Sequence, residues 1–156
     1  MNSPPSTLRI LPEQWINPVD FAACFEHPEH PFEIDLGCGK GRFLLARARK
    51  FPETNFLGID RQLGRIRRID RKALRAGLLN VRVLRLDAYY TVTYLVPPQS
   101  VDTYYIFYPD PWPKGKHHHN RIFNELFMDA IARTLKPGGK LHASTDHLPY
   151  FAEIYK

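Results

Sequence analysis

From Pro31 onward the chain alternates short apolar runs with longer segments whose apolar residues recur every three or four positions. The runs PFEIDLG, NFLGID, NVRVLRLD, SVDTYYIFYPD and KLHAST are short and bounded by turn residues, which predicts five strands. Between them, GRFLLARARKF and RQLGRIRRIDRKALRAGLLN read as amphipathic helices. The second carries Leu63, Ile66, Ile69 and Ala73 on one face and ends at Gly77. NRIFNELFMDAIARTL predicts a further helix with Phe123, Leu126, Phe127, Ala130 and Ile131 on one face, closed by KPGG. Upstream, NPVDFAACF predicts a short helix capped by Asn17, with Pro18 at its first position. Strands that alternate with helices pair in parallel through crossover helices, so the fold class is α/β, doubly wound around a mostly parallel sheet. Ligands of such sheets bind beyond the carboxyl ends of the strands. No repeat, low-complexity tract or linker divides the chain, which predicts one domain over residues 1–156, with 1–30 an N-terminal extension and 31–156 the core.

With 156 residues, 44% of them apolar and 13% aromatic, the chain can bury a full core, which excludes a disordered or collagen-like class. Cys24 and Cys38 have no Cys-x-x-Cys partner, so neither a zinc box nor a bridged secreted scaffold is expected. A reducing, cytoplasmic compartment fits them best. No apolar run approaches the roughly 18–20 residues of a membrane span, and the N-terminus lacks the pattern of a signal peptide. The net charge of +6 is unevenly placed: residues 1–39 carry −5, residues 40–82 carry +10 and residues 83–156 carry +1. In the Arg-rich helix, Arg61, Arg65, Arg68, Lys72 and Arg75 recur in steps of four and three, and Asp70 alone offsets seven bases. Like charges at this spacing repel, so the stripe reads either as a solvated face or as a surface that a phosphate backbone covers.

Five acids sit at or next to the predicted strand ends: Asp35, Asp60, Asp87, Asp110 and Asp146. After Asp35 come Gly37, Gly39 and Gly41, a turn that lets a ligand approach backbone closely. Asp60 follows Gly41 by nineteen residues, where a carboxylate can accept from ribose hydroxyls. An adenosine-containing cofactor is the common reading. A dinucleotide wants G-x-G-x-x-G, whereas this turn is G-x-G-x-G with an acid two residues ahead. That carboxylate would repel a pyrophosphate and attract the cationic sulfonium and amino group of S-adenosyl-L-methionine, so electrostatics favours the methyl donor. Asp87, followed by Ala88, is then placed to reach the adenine edge.

The fourth strand runs into YPDPWPKGKHHHNRI, where Pro109 and Pro111 stiffen a turn that presents Asp110 and Trp112, and Lys114 opens a basic loop. Trp112 reads equally as a base-stacking face or as a core residue. His117, His118 and His119 are adjacent and lack cysteine neighbours, so no metal site is expected and their role stays open. The series EIDLGCGKGRFL, FLGID, LDA, YPDPWPKGKH with RI, and STD resembles the bacterial tRNA (guanine-N7-)-methyltransferase family over residues 30–156. The resemblance implies a Rossmann-like class I methyltransferase that uses S-adenosyl-L-methionine to methylate guanine 46 in the variable loop of tRNA. It implies that Asp35, Asp60, Asp87 and Asp110 line the donor site and that Lys114 and Asp146 contact tRNA. Two departures stand out. His119-Asn120 replace the further basic residues usual in the family, and the family's C-terminal hairpin with its T-x-Y-E motif would lie beyond Lys156. The chain is therefore expected to be the cofactor-binding body of a longer enzyme lacking its C-terminal strands.

From the chemistry of guanine N7, Asp110 is the expected catalytic group, orienting the base through its N1 and N2 donors. Arg61, Arg65, Arg68 and Lys72 are expected to hold tRNA phosphates. Two other readings remain: a methyltransferase of a small molecule, and a non-catalytic nucleic-acid-binding module on the same fold.

Overall fold

The computed structural model describes residues 5–107 and 124–144. Five strands form one sheet in the order β3-β2-β1-β4-β5: β1 (Phe32–Leu36), β2 (Asn55–Asp60), β3 (Val81–Arg85), β4 (Val101–Phe107) and β5 (Leu135–Ser144). Every pairing is parallel. The predicted fold class is the observed one, and the order reverses at β1, between β2 and β4. Helices α1 (Arg42–Lys50) and α2 (Leu63–Arg75) follow β1 and β2. A short helix, α3 (Ala88–Tyr90), runs into a π-helical turn (Thr91–Leu95) after β3, and α4 (Glu125–Thr134) precedes β5.

Two apolar clusters cover the two faces of the sheet. One joins Leu44, Leu45 and Ala48 of α1 and Ile66, Ile69 and Ala73 of α2 to Phe56, Val81 and Val83. The other joins Phe127, Ala130 and Ile131 of α4, together with Phe21, Phe25, Val92 and Leu95, to Ile34, Leu36, Ile59, Tyr104 and Ile106. The central strands are buried on both sides, which is why they read as continuous apolar runs rather than alternating ones.

Local departures from the sequence reading each have a physical reason. The N-terminal helix is only a 3₁₀ turn, Phe21–Cys24, and Asp20 rather than Asn17 caps it by accepting from the Ala23 amide. Asn17 is instead held by Gln14, whose side-chain oxygen accepts from the Asn17 and Ile16 amides. In α4 the buried stripe is Phe127, Ala130, Ile131 and Thr134, leaving Leu126 on the flank at 69% exposure. Asn124 caps that helix through the Phe127 amide. The KPGG segment does not separate helix from strand. It is extra chain within β5, where the register jumps from Val101↔Leu135 to Thr103↔Lys140. At the other sheet edge the segment around Leu8 runs beside β3, exchanging backbone bonds with Val83. No helix among the described residues is long and apolar enough to cross a membrane.

Candidate functional site

The carboxyl ends of β1, β2 and β3 bring together Asp35, the glycine turn, Asp60 and Asp87. Pairing of Asp35 with Gly58 and of Leu36 with Ile59 sets the first two strand ends level. The Asp60 carbonyl accepts from the Leu86 amide, which draws the third alongside. Gly37, Gly39 and Gly41 adopt φ of +75°, +57° and +82°, so the turn uses left-handed backbone three times in five residues. Gly41 is constrained twice, because a Cβ there would also lie 2.7 Å from Cγ1 of buried Ile69. The start of α1 is thereby seated directly against α2.

Asp60 organises this edge. Its Oδ2 accepts from the Gly39 amide at 3.0 Å and lies 3.5 Å from the Arg65 guanidinium, while Oδ1 accepts from the Gln62 amide at 2.9 Å. One carboxylate therefore joins the turn to the start of α2. Asp87 caps α3, with Oδ2 accepting from the Tyr90 amide at 2.8 Å. Asp35 differs from both. It is 5% exposed, and its carboxylate forms no hydrogen bond among the described residues. Burial, and then the charge of Asp60, push its pKa up to about 7. Cys38, inside the turn, is a half-buried thiol whose pKa is raised by burial and by both carboxylates, which makes it a packing residue and not a nucleophile.

Four of the turn's five amides are already spent. The Gly37 and Cys38 amides donate to the Ile59 carbonyl, Gly39 to Asp60, and Gly41 to the Cys38 carbonyl. A pyrophosphate needs free N–H groups and no adjacent carboxylate, so this edge does not fit a dinucleotide. A buried carboxylate without a donor fits a cationic ligand.

Arg61, Arg65, Arg68, Lys72 and Arg75 are all exposed on or just before α2, beginning beside Asp60. Asp70, the acid set among them, is turned to the N-terminal segment. Its two oxygens accept from the Thr7 hydroxyl and the Leu8 amide, each at 2.7 Å. Asp110, Trp112, Lys114, Asp146 and His117–His119 lie outside the described residues.

A cleft of about 550 Å³ between α1 and the β4–β5 pair was not anticipated from sequence. Phe43, Tyr105, Phe107 and His142 supply ring faces, with Tyr105 and His142 stacked at 5.2 Å. Arg47 lies at its base, 3.3 Å from Glu33 and over the Tyr105 ring. Alternate positions of β4, Tyr105 and Phe107, were the signal; the run YYIFY reads as core until α1 is seen to leave that face partly open.

The model of a family described as putative methyltransferase matches residues 29–156. The tRNA (guanine-N(7)-)-methyltransferase of Nitrosococcus oceani is 37% identical over 137 residues, covering 88% of this chain and 58% of that protein. The enzyme of the same name from Acinetobacter baylyi is 38% identical over 131 residues, covering 84% and 53%. The chain thus spans little more than half the length of these curated relatives. Among solved structures, the antibiotic-resistance methyltransferase Kmr superposes with a TM-score of 0.59 at 24% identity, over 76% of this chain and 61% of that one. A SAM-dependent methyltransferase from Aquifex aeolicus gives 0.52 at 21%, over 69% and 52%. At those identities the likeness establishes the fold, which is that of the Rossmann-like methyltransferases. The motif series, the strand-end carboxylates and the family match agree, and the chain belongs to this family of putative methyltransferases, with relatives named tRNA (guanine-N(7)-)-methyltransferase.

Proposed function

We propose that the chain is the cofactor-binding part of an S-adenosyl-L-methionine-dependent methyltransferase that forms N7-methylguanine in tRNA, at position 46 of the variable loop. The observation that carries the reading is Asp35, a buried carboxylate without a hydrogen-bond donor among the described residues, beside a glycine turn most of whose amides are spent. When bound, S-adenosyl-L-methionine supplies an electrophilic methyl group on a sulfonium centre. Asp35 offsets the positive charge of that ligand, the free lone pairs of Asp60 receive ribose hydroxyls, and the second oxygen of Asp87 faces the adenine edge.

Guanine N7 carries an in-plane lone pair, so no proton need be removed before transfer and no strong general base is required. The protein's task is alignment at about 3–3.5 Å between reacting atoms. Asp110 orients the base through N1 and N2 and offsets the positive charge it acquires, Trp112 offers a stacking face, and Lys114 and Asp146 hold the neighbouring nucleotides. Arg61, Arg65, Arg68 and Lys72 grip the phosphate backbone. The names of the curated relatives and the uncompensated charge of α2 both favour this over a small-molecule substrate.

The deciding experiment incubates the chain with methyl-labelled donor and unmodified tRNA, then maps the label by cleavage at N7-methylguanine. Label at position 46, lost in Asp110→Ala, is the expected result. Donor binding by calorimetry with no transfer, even when the C-terminal part of a relative is fused after Lys156, would overturn the enzymatic reading and leave the binding-module one.

A further inference from the structure

The sequence reading expected no metal site, yet the turn before β1 places three metal-ligating groups together. His27 Nδ1 lies 3.4 Å from Glu29 Oε1, and His30 Nε2 lies 3.9 Å from the same oxygen. All three ligand atoms fall within 4.8 Å of one another. We propose that His27, Glu29 and His30 form a binding site for a single divalent transition-metal ion of the zinc class.

Coordination geometry and a firmly held backbone turn both suit an ion here. A tetrahedral zinc ion with bonds of about 2.0–2.2 Å sets its ligand atoms roughly 3.3 Å apart. The His27–Glu29 separation is already at that value; the half-buried His30 ring, stacked on His27 at 4.8 Å, has to turn out of that stack to bring Nε2 onto the same ion. The backbone is fixed at several points. The His30 amide donates to the His27 carbonyl at 3.1 Å, and the Asn55 side-chain amide donates to the same carbonyl at 2.9 Å. Just beyond, the Asn55 amide donates to the Pro31 carbonyl, and the Phe32 amide donates to Asp102 at 2.8 Å. Pro28 and Pro31 fix φ on either side of Glu29 and His30. The ligands therefore project from a turn pinned to the amino ends of β2 and β4, so little ordering entropy is left to lose on binding.

Two imidazoles and one carboxylate select zinc, nickel or copper over magnesium or calcium, which prefer all-oxygen shells. Three protein ligands leave the fourth position to water. The site is separate from the cofactor edge, since it precedes β1 while the glycine turn follows it. Five residues of strand, about 16 Å, lie between them. An ion here would stiffen the turn ahead of β1 without touching the donor site.

The test titrates zinc into the metal-free full chain against a chromophoric chelator, with cobalt absorption as the report of geometry. To exclude zinc held by the adjacent imidazoles of His117, His118 and His119, every measurement is repeated in the H117A/H118A/H119A chain. The expected result in that chain is one zinc equivalent with micromolar affinity. H27A/H30A should weaken it at least tenfold and E29Q several-fold, with tetrahedral cobalt bands lost in the former. All three ligands are partly or fully exposed, and unchanged melting without metal checks that the variants fold. Zinc binding of equal strength in H27A/H30A, or no zinc equivalent once His117–His119 are replaced, overturns the proposal.

Discussion

Asp35 concentrates the conflict between folding and ligand binding at one side chain. A carboxyl held at about 7 in the native chain and near 3.9 when unfolded binds more protons in the native state between those values. Stability therefore falls as pH rises from about 4 to 7 and levels off above, a loss on the order of 4 kcal/mol at about 1.36 kcal/mol per pH unit. Asp35→Asn removes the charge while keeping the shape. Denaturant unfolding across pH 4–8 should show the wild type losing stability over this window and the variant staying nearly flat, so the variant is the more stable at pH 8. The same variant should bind S-adenosyl-L-methionine more weakly by calorimetry, since the ligand's cation no longer meets a carboxylate. Parallel pH profiles for the two chains would refute the assignment. The sequence placed Asp35 next to a glycine turn, but not its lack of a hydrogen-bond donor. That depends on where the turn's amides point, and those are directed to the Ile59 carbonyl and to Asp60 by the pairing of β1 with β2.

The second helix shows what periodicity can and cannot reveal about an element. Its buried stripe of Ile66, Ile69 and Ala73 and its stop at Gly77 were legible because period and cap agree, while Leu63, expected on the same face, is only half-buried at the helix start. The Leu78 amide returns to the Ala73 carbonyl and Gly77 to Leu74, the paired bonds of a Schellman end. The fate of Asp70 was not legible, since its partners Thr7 and Leu8 lie more than sixty residues away in sequence. Asp70→Ala removes two bonds to a carboxylate and should cost about 1–3 kcal/mol. Faster amide exchange at Ile10 and Val83 would identify release of the N-terminal segment as the cause. Exchange confined to α2 would instead mean that Asp70 acts only within its helix. On the exposed side of α2, R68E/K72E should weaken tRNA binding and make the slope of log affinity against log salt shallower by roughly 0.7–0.9 for each phosphate no longer neutralised. Filter-binding isotherms at several salt concentrations check this, and an unchanged slope would leave the stripe as a solvated face. The weak elements were misjudged for the opposite reason. Residues 17–25 hold a single 3₁₀ turn and residues 136–139 an irregular stretch within β5, and there a single side chain such as Gln14, or one strand register, outweighs local propensity.

For the molecule as a whole, the α/β class followed from the alternation of strands and helices, whereas the strand order β3-β2-β1-β4-β5 did not, because parallel crossovers permit several orders of the same elements. What alternation does not convey is charge in three dimensions. Residues 40–82 carry +10 and supply α1 and α2, which both pack through one apolar cluster onto one face of the sheet. Arg65, Arg67, Arg68, Arg71, Lys72 and Arg75 are exposed there, together with Lys40, Arg42, Arg49 and Lys50, so one side of the molecule repels itself. Exposed charges interact over about 10 Å at 0.1 M salt and about 3 Å at 1 M, which means added salt should screen the repulsion and stabilise the free chain. Raising sodium chloride from about 0.05 to about 0.5 M should increase the unfolding midpoint by a few degrees, while the same change weakens tRNA binding by orders of magnitude. The two responses have opposite signs from one cause, since tRNA and salt supply the same counter-charge. In R68E/K72E the stabilisation by salt should shrink together with the tRNA affinity. A midpoint that falls with salt, or that responds equally in both chains, would mean the cationic side is not under strain and that polyanion binding does not relieve it.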